Sequence, residues 1–169
     1  METYTKYTNM ALEMGAKNAV KFNIEDIAFD LRVALKCIFG CSDFGKNHTC
    51  PFQKSPLTMK DYQEILGRYS WGIIIGCGDK HTSQKVSFEV ERACFLDGHY
   101  FAFSLSDCGL CKTCSKVSNE DCRVPAKARP AFHSVGIDVF KTVSMFNLPL
   151  HVAQDYDAET NWYSAVFVE

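Results

Sequence analysis

Hydrophobic and polar positions along the chain switch between helical and strand periods. That pattern predicts one α/β or α+β domain over residues 1–169, a four- to five-stranded sheet flanked by helices. Residues 4–14 put Tyr4, Tyr7, Ala11 and Met14 on one helical face, with Gly15 as the C-terminal cap. Residues 18–24 alternate as a short strand. Thr58 is placed to cap a second helix, with Asp61 near its third position and Tyr62, Ile65, Leu66 and Tyr69 as its stripe. Residues 71–75 are apolar throughout, which predicts a strand covered on both faces and therefore central. A third helix is expected over about 83–96, with Val86, Val90, Ala93 and Cys94 inward and Gly98 ending it. Residues 100–105 and 162–168 read as strands and 138–146 as helix, and Pro130 suits the first turn of a helix.

Two segments follow neither period, residues 36–56 and 106–129. Both are rich in turn formers, charges and cysteines. Structureless loops of that length are uncommon in a compact domain unless something organises them. A bound metal centre would organise both.

Composition sharpens this picture. The chain has 169 residues, 47% hydrophobic and 13% aromatic, which excludes a disordered protein. Its 18 Lys and Arg against 20 Asp and Glu give a net charge of −2, which speaks against a nucleic-acid binder. The apolar run at 71–78 is far short of the roughly 20 residues that span a bilayer, and METYTKYTNM lacks the pattern of a secretory signal. A cytoplasmic protein with no membrane partner is expected. Nine cysteines are abnormal for such a chain. Where thiols stay reduced, clustered cysteines point to metal rather than to disulfides.

Cys108, Cys111, Cys114 and Cys122 follow the spacing Cys-x2-Cys-x2-Cys-x7-Cys, with Pro125 just beyond. Two intervening residues let the backbone curl so that successive thiolates face one centre. Three such thiolates can grip three corners of a cubane and a more distant cysteine the fourth, which is the logic of the ferredoxin run. A [4Fe–4S] cluster is therefore expected here. Zinc and reduced structural thiols remain as alternatives. Cys37, Cys41 and Cys50 form a second group, one thiolate short of a closed site. Its fourth position falls to His48, to Cys77, to a residue of the other group, or to no protein atom. An open iron corner could bind a substrate atom as a Lewis acid. A mononuclear metal and unliganded thiols also stay open for this group. Cys77, between Gly76 and Gly78, is either that ligand or a small core residue, and Cys94 reads as packing.

Arg32, Lys36 and Lys46 flank the first group; Lys112, Lys116, Arg123, Lys127 and Arg129 flank the second, where cations would stabilise a negatively charged cluster. The tail from Thr142 holds Asp155, Asp157, Glu159 and Glu169 and no Lys or Arg, and reads as surface. Gly76-Cys77-Gly78 lacks the third glycine of a dinucleotide fingerprint, and no P-loop exists.

The combined pattern resembles an uncharacterised family of predicted metal-binding proteins, common in methanogens and anaerobic bacteria. The matching stretches are Lys36-Cys37, Gly40-Cys41, Gly45-Lys46 and Cys50-Pro51, then Cys108, Cys111 and Cys114, then Cys122-Arg123, Pro125, Ala128-Arg129-Pro130 and Gly136-Ile137-Asp138-Val139. The chain departs from that pattern at Phe52 and at Ala131-Phe132-His133. The resemblance implies a metal site and an anaerobic setting and supplies no reaction. The expectation is thus an iron–sulfur protein with one or two [4Fe–4S] clusters, serving electron transfer with a redox partner protein. Two alternatives stand beside it: an enzyme whose open iron activates a small sulfur- or oxygen-containing ligand, and a zinc-stapled interaction module.

Overall fold

The apolar run beginning at Trp71 is the strand against which the rest assembles. The computed structural model describes residues 3–51, 57–150 and 160–169; Phe52, Asp155, Asp157 and Glu159 lie outside them. Four strands form one antiparallel sheet: β1 (Asn18–Asn23), β2 (Trp71–Cys77), β3 (Phe103–Leu105) and β4 (Trp162–Phe167), in the spatial order β1-β2-β4-β3. The helices are α1 (Thr3–Glu13), α2 (Val33–Gly40), α3 (Met59–Leu66), α4 (Lys80–Leu96) and α5 (Val139–Ser144). Antiparallel pairing makes this the α+β member of the two classes expected. Among the described residues no helix is long and apolar enough to cross a membrane.

Both faces of the sheet are covered, which explains why β2 reads as an unbroken apolar run. Ile73, Ile75 and Cys77 point to one face, where they pack with Tyr7 and Ala11 of α1 and Val86, Val90 and Cys94 of α4. Ile74 points to the other, against Leu66 of α3, Phe132, Ile137 and Val143 of α5. Gly72 is required by this packing. It lies opposite both Phe22 and Phe167, whose rings meet edge to face at 5.1 Å. A methyl group there would run into the Val166 carbonyl and the Phe22 ring.

Local signals set most element ends. Thr58 and Asp61 form a reciprocal capping box at α3. Gly15 and Gly98 adopt φ of 102° and 101° just past α1 and α4. Four expectations need correction. The helix expected over about 83–96, α4, begins at Lys80, three residues early, because the Asp79 carboxylate accepts the Thr82 amide at 2.9 Å and caps it there. The third strand keeps only Phe103–Leu105, since Tyr100 and Phe101 lie exposed in the turn that follows Gly98. No helix starts at Pro130; its carbonyl instead accepts the Ser106 amide at 2.8 Å, and a 3-10 turn (Phe132–Val135) follows. Finally, α2 extends through residues 36–40, which were expected to be irregular. Cys37 is its one buried residue while Leu35, Ile38 and Phe39 are exposed, so it has no apolar stripe facing a core.

One buried ion pair ties the second cysteine segment to this scaffold. Arg129 gives two parallel hydrogen bonds to Glu91 of α4, Nε to Oε2 at 2.9 Å and Nη2 to Oε1 at 2.5 Å, with both side chains only 11% exposed. Glu91 Oε2 also accepts the amide and hydroxyl of Ser104 on β3, at 2.7 and 2.6 Å. The guanidinium lies over the Phe88 and Phe103 rings, 5.2 and 4.9 Å from their centres. Removing one partner of such a pair leaves the other charge buried and uncompensated.

Arg129→Ala is therefore expected to cost about 3–5 kcal/mol of folding stability, read as a drop in denaturant midpoint. The double variant Glu91→Leu/Arg129→Met should recover only part of that loss: no buried charge remains, but the buried Ser104 amide and hydroxyl lose their acceptor. Gly72→Ala should cost about 1–3 kcal/mol by overpacking and lower the melting temperature without changing the far-ultraviolet spectrum at low temperature.

Candidate metal centre

The two cysteine groups occupy neighbouring cavities at one end of the sheet. In the first, Cys37 is held from α2, Cys41 follows that helix directly, and Cys50 closes a tight turn in which its amide bonds the Asn47 carbonyl at 3.1 Å. The three line one cavity of about 100 Å³ together with Lys80, Asp107 and His133. Burial, with Cys41 and Cys50 nearby, pushes the Cys37 thiol above its ordinary range, so these sulfurs are close enough to feel each other's charge. The Cys50 thiol donates weakly to the Asp43 carbonyl at 3.6 Å.

In the second group, Cys108, Cys111, Cys114 and Cys122 all line one narrow cleft, of about 20 Å³. The segment is anchored at its start to α4. The Gly109 amide donates to Gln84 Oε1 at 2.6 Å, and Lys80 pairs with Asp107 at 3.2 Å. Glycine suits position 109 because a Cβ there would press on the Lys80 and His81 side chains. The 3-10 turn Ser115–Ser118 then reverses the chain through Asn119 at φ 58°, which returns Cys122 to the other three. All nine cysteines are free thiols. Among the described residues no three of His, Cys, Asp or Glu converge on a single point suited to one ion. The thiols instead surround a space.

The two groups also meet. Cys50 and Cys122 line a third cavity, of about 520 Å³, with His48, Tyr62, Pro130 and Ser134. His48, a candidate fourth ligand for the first group, lines the cleft of the second, with Nε2 2.9 Å from the Glu120 carbonyl oxygen. Cys77 lies in neither group. It is 1% exposed in the core between the sheet and α1 and α4, next to Cys94 at 0%.

Four of the eight flanking cations are engaged elsewhere. Arg129 belongs to Glu91, Arg32 to Asp30 at 2.6 Å and Arg123 to Glu120 at 3.1 Å, while Lys127 sits 5.6 Å from the centre of the Phe88 ring. The cation that does border the first cavity is Lys80, which sequence reading passed over along with Asp107, Gln84 and Glu91. Gln84 and Glu91 lie seven residues apart on α4 and mimic a solvated helical face. Only the packing of the cysteine segment over that face buries them, to 2% and 9% exposure.

Burial pushes the Cys77 thiol up to about 11 and the Cys94 thiol up to about 12. At pH 8 roughly one Cys77 in a thousand is a thiolate, the reactive form. Iodoacetamide applied to the metal-stripped, reduced native protein at pH 8 should therefore spare Cys77 and Cys94 and modify the exposed Cys41, as read by peptide mass mapping. Both protected thiols should react only in denaturant.

No curated protein and no solved structure matches this chain. The model of one family matches residues 20–168, a span that takes in every cysteine of both groups. On that match the chain belongs to the family described as predicted metal-binding protein (DUF2284).

Proposed function

We propose that this metal-binding protein is an iron–sulfur protein in which Cys108, Cys111, Cys114 and Cys122 hold a [4Fe–4S] cluster and Cys37, Cys41 and Cys50 hold a second. Its role is electron transfer with a redox partner protein in anaerobic metabolism. The observation that carries this reading is the gathering of four thiols spread over 15 residues around one cleft, beside a cavity lined by three more. The donor set fits the group: thiolates are the ligands of such clusters, and none of these is spent in a disulfide. The cleft at about 20 Å³ has room for one water-sized occupant, so the Cys108–Cys114 segment must spread to admit a cubane. Its bends and short 3-10 turns, rather than sheet or long helix, allow that. When bound, a cubane takes one electron at a time from a reduced partner and returns it to an oxidised one. The protein's part is to hold the thiolates, to exclude bulk water, and to place the two groups side by side across the cavity that Cys50 and Cys122 share.

A second reading is favoured by one feature. The three-thiol cavity shares Asp107, Ala131 and His133 with an apolar cavity of about 340 Å³ that is also lined by Phe140 and Trp162. An iron corner left open at Cys37, Cys41 and Cys50 would face space for a small sulfur- or oxygen-containing ligand. Hydrosulfide or small thiols should then shift the visible spectrum of the loaded protein.

Iron, acid-labile sulfide and zinc per chain, measured after purification without oxygen, test the proposal. About eight irons with equal sulfide are expected, and about four would leave the Cys37 group without a cluster. Cys111→Ser should remove about four irons and the matching sulfide. Roughly one zinc with no sulfide would overturn the redox role and leave a metal-stapled binding module.

A further inference from the structure

The imidazole of His48 belongs to the first cysteine loop by sequence and to the second cysteine cleft by position. Its Nε2 has two neighbours that can accept a hydrogen bond. The Glu120 carbonyl, which can only accept, is 2.9 Å away. The Ser115 hydroxyl oxygen is 3.4 Å away and donates its own hydrogen to the Asp121 carbonyl at 2.7 Å, so it too faces Nε2 as an acceptor. Nε2 therefore carries the ring hydrogen. In the neutral ring that leaves Nδ1 as a bare lone pair. This nitrogen is buried and has no hydrogen-bond partner. A buried polar atom left unpaired costs about 1–3 kcal/mol, so it calls for an occupant.

The surroundings identify one. The ring lines the cleft with Cys108, Cys111, Cys114 and Cys122. A histidine whose outer N–H is fixed by a backbone carbonyl, with its other nitrogen bare, has the arrangement found in metal-ligating histidines. The Glu120 carbonyl is itself held in place by the turn after Ser115, where the Glu120 amide bonds the Ser115 carbonyl at 3.1 Å and Ser115 is 2% exposed.

We infer that His48 ligates, through Nδ1, the metal centre held by the Cys108, Cys111 and Cys114 run. The inference rests on the metal reading above and changes it at one corner. A cubane offers four iron corners, so His48 displaces one thiol. Cys122 is that thiol, because seven residues separate it from the run; like His48, it also borders the cavity that contains Cys50. Imidazole suits iron and zinc alike. Ligation from residue 48 would also lash the first cysteine loop to the second, making occupation of one cleft a condition for order in the other.

The test uses the full chain, purified without oxygen and labelled with 15N-histidine, with X-ray absorption at the edge of whichever metal is bound and pulsed EPR of the reduced state if that metal is iron. Wild type should show a nitrogen neighbour in the metal shell and a directly coupled histidine nitrogen. His48→Ala should lose both and bind less metal. His48→Cys should regain the metal with an all-sulfur shell, which a merely structural role for the ring would not produce. Cys122→Ser should keep the nitrogen and the metal content, whereas Cys111→Ser should not. A metal-loaded wild type with an all-sulfur shell, or a His48→Ala protein with the nitrogen signal intact, would overturn this inference and leave the cluster reading standing. A protein with no metal at all would overturn both.

Discussion

The second cysteine segment hangs from the rest of the protein by the Glu91–Arg129 ion pair. About two dozen residues leave β3 and come back to Pro130, beside Ser106, with only short 3-10 turns between. Their ends are held where Arg129 meets Glu91, where Ser106 bonds the Pro130 carbonyl, and where Gly109 meets Gln84. Backbone groups in such a segment cannot satisfy one another as a helix or sheet would. The scaffold supplies part of what is missing through Gln84, which accepts the Gly109 amide, while Glu91 answers four donors at once: two from the Arg129 guanidinium and two from Ser104 of β3.

That constraint depends on the scaffold being rigid, and two-sided burial provides the rigidity. Because β2 and β4 lie inside the sheet and helices cover both faces, α4 is pinned along its whole inner stripe at Val86, Val90 and Cys94. Its other polar face then becomes a fixed platform on which Lys80, Gln84 and Glu91 hold the cysteine segment. The buried side-chain atoms without partners among the described residues are His48 Nδ1, Gln84 Nε2 and Ser106 Oγ. All three belong to residues that line or adjoin the cysteine segments. Native interiors leave few such groups unpaired; thiolate sulfurs could accept from Gln84 Nε2 and Ser106 Oγ, whereas the bare His48 Nδ1 needs a donor or a metal. The unpaired polar atoms of the described interior are thus gathered around the cysteine segments.

Elements governed by local rules were legible in the chain. The α1 stripe, the Thr58–Asp61 capping box and the apolar β2 run each depend on residues within a few positions of one another. Elements governed by distant contacts were not. The short α2 has its apolar residues in solvent, so periodicity had nothing to report. Tyr100 and Phe101 look like strand residues, but the turn after Gly98 carries them past the sheet edge. Arg129, read as a free cation beside a cluster, is neutralised by a glutamate 38 residues away.

By itself the sequence determined that this is a thiol-rich chain of mixed helices and strands with two cysteine groups, because spacing and periodicity are short-range properties; that the sheet is antiparallel, and the class α+β, came from strand pairing. Which face of α4 receives the cysteines, where Cys77 goes, and which group claims His48 were decided only in three dimensions. Those choices depend on contacts between segments far apart in the chain. His48 lies 72 residues from the carbonyl that orients it, and no spacing rule reaches that far.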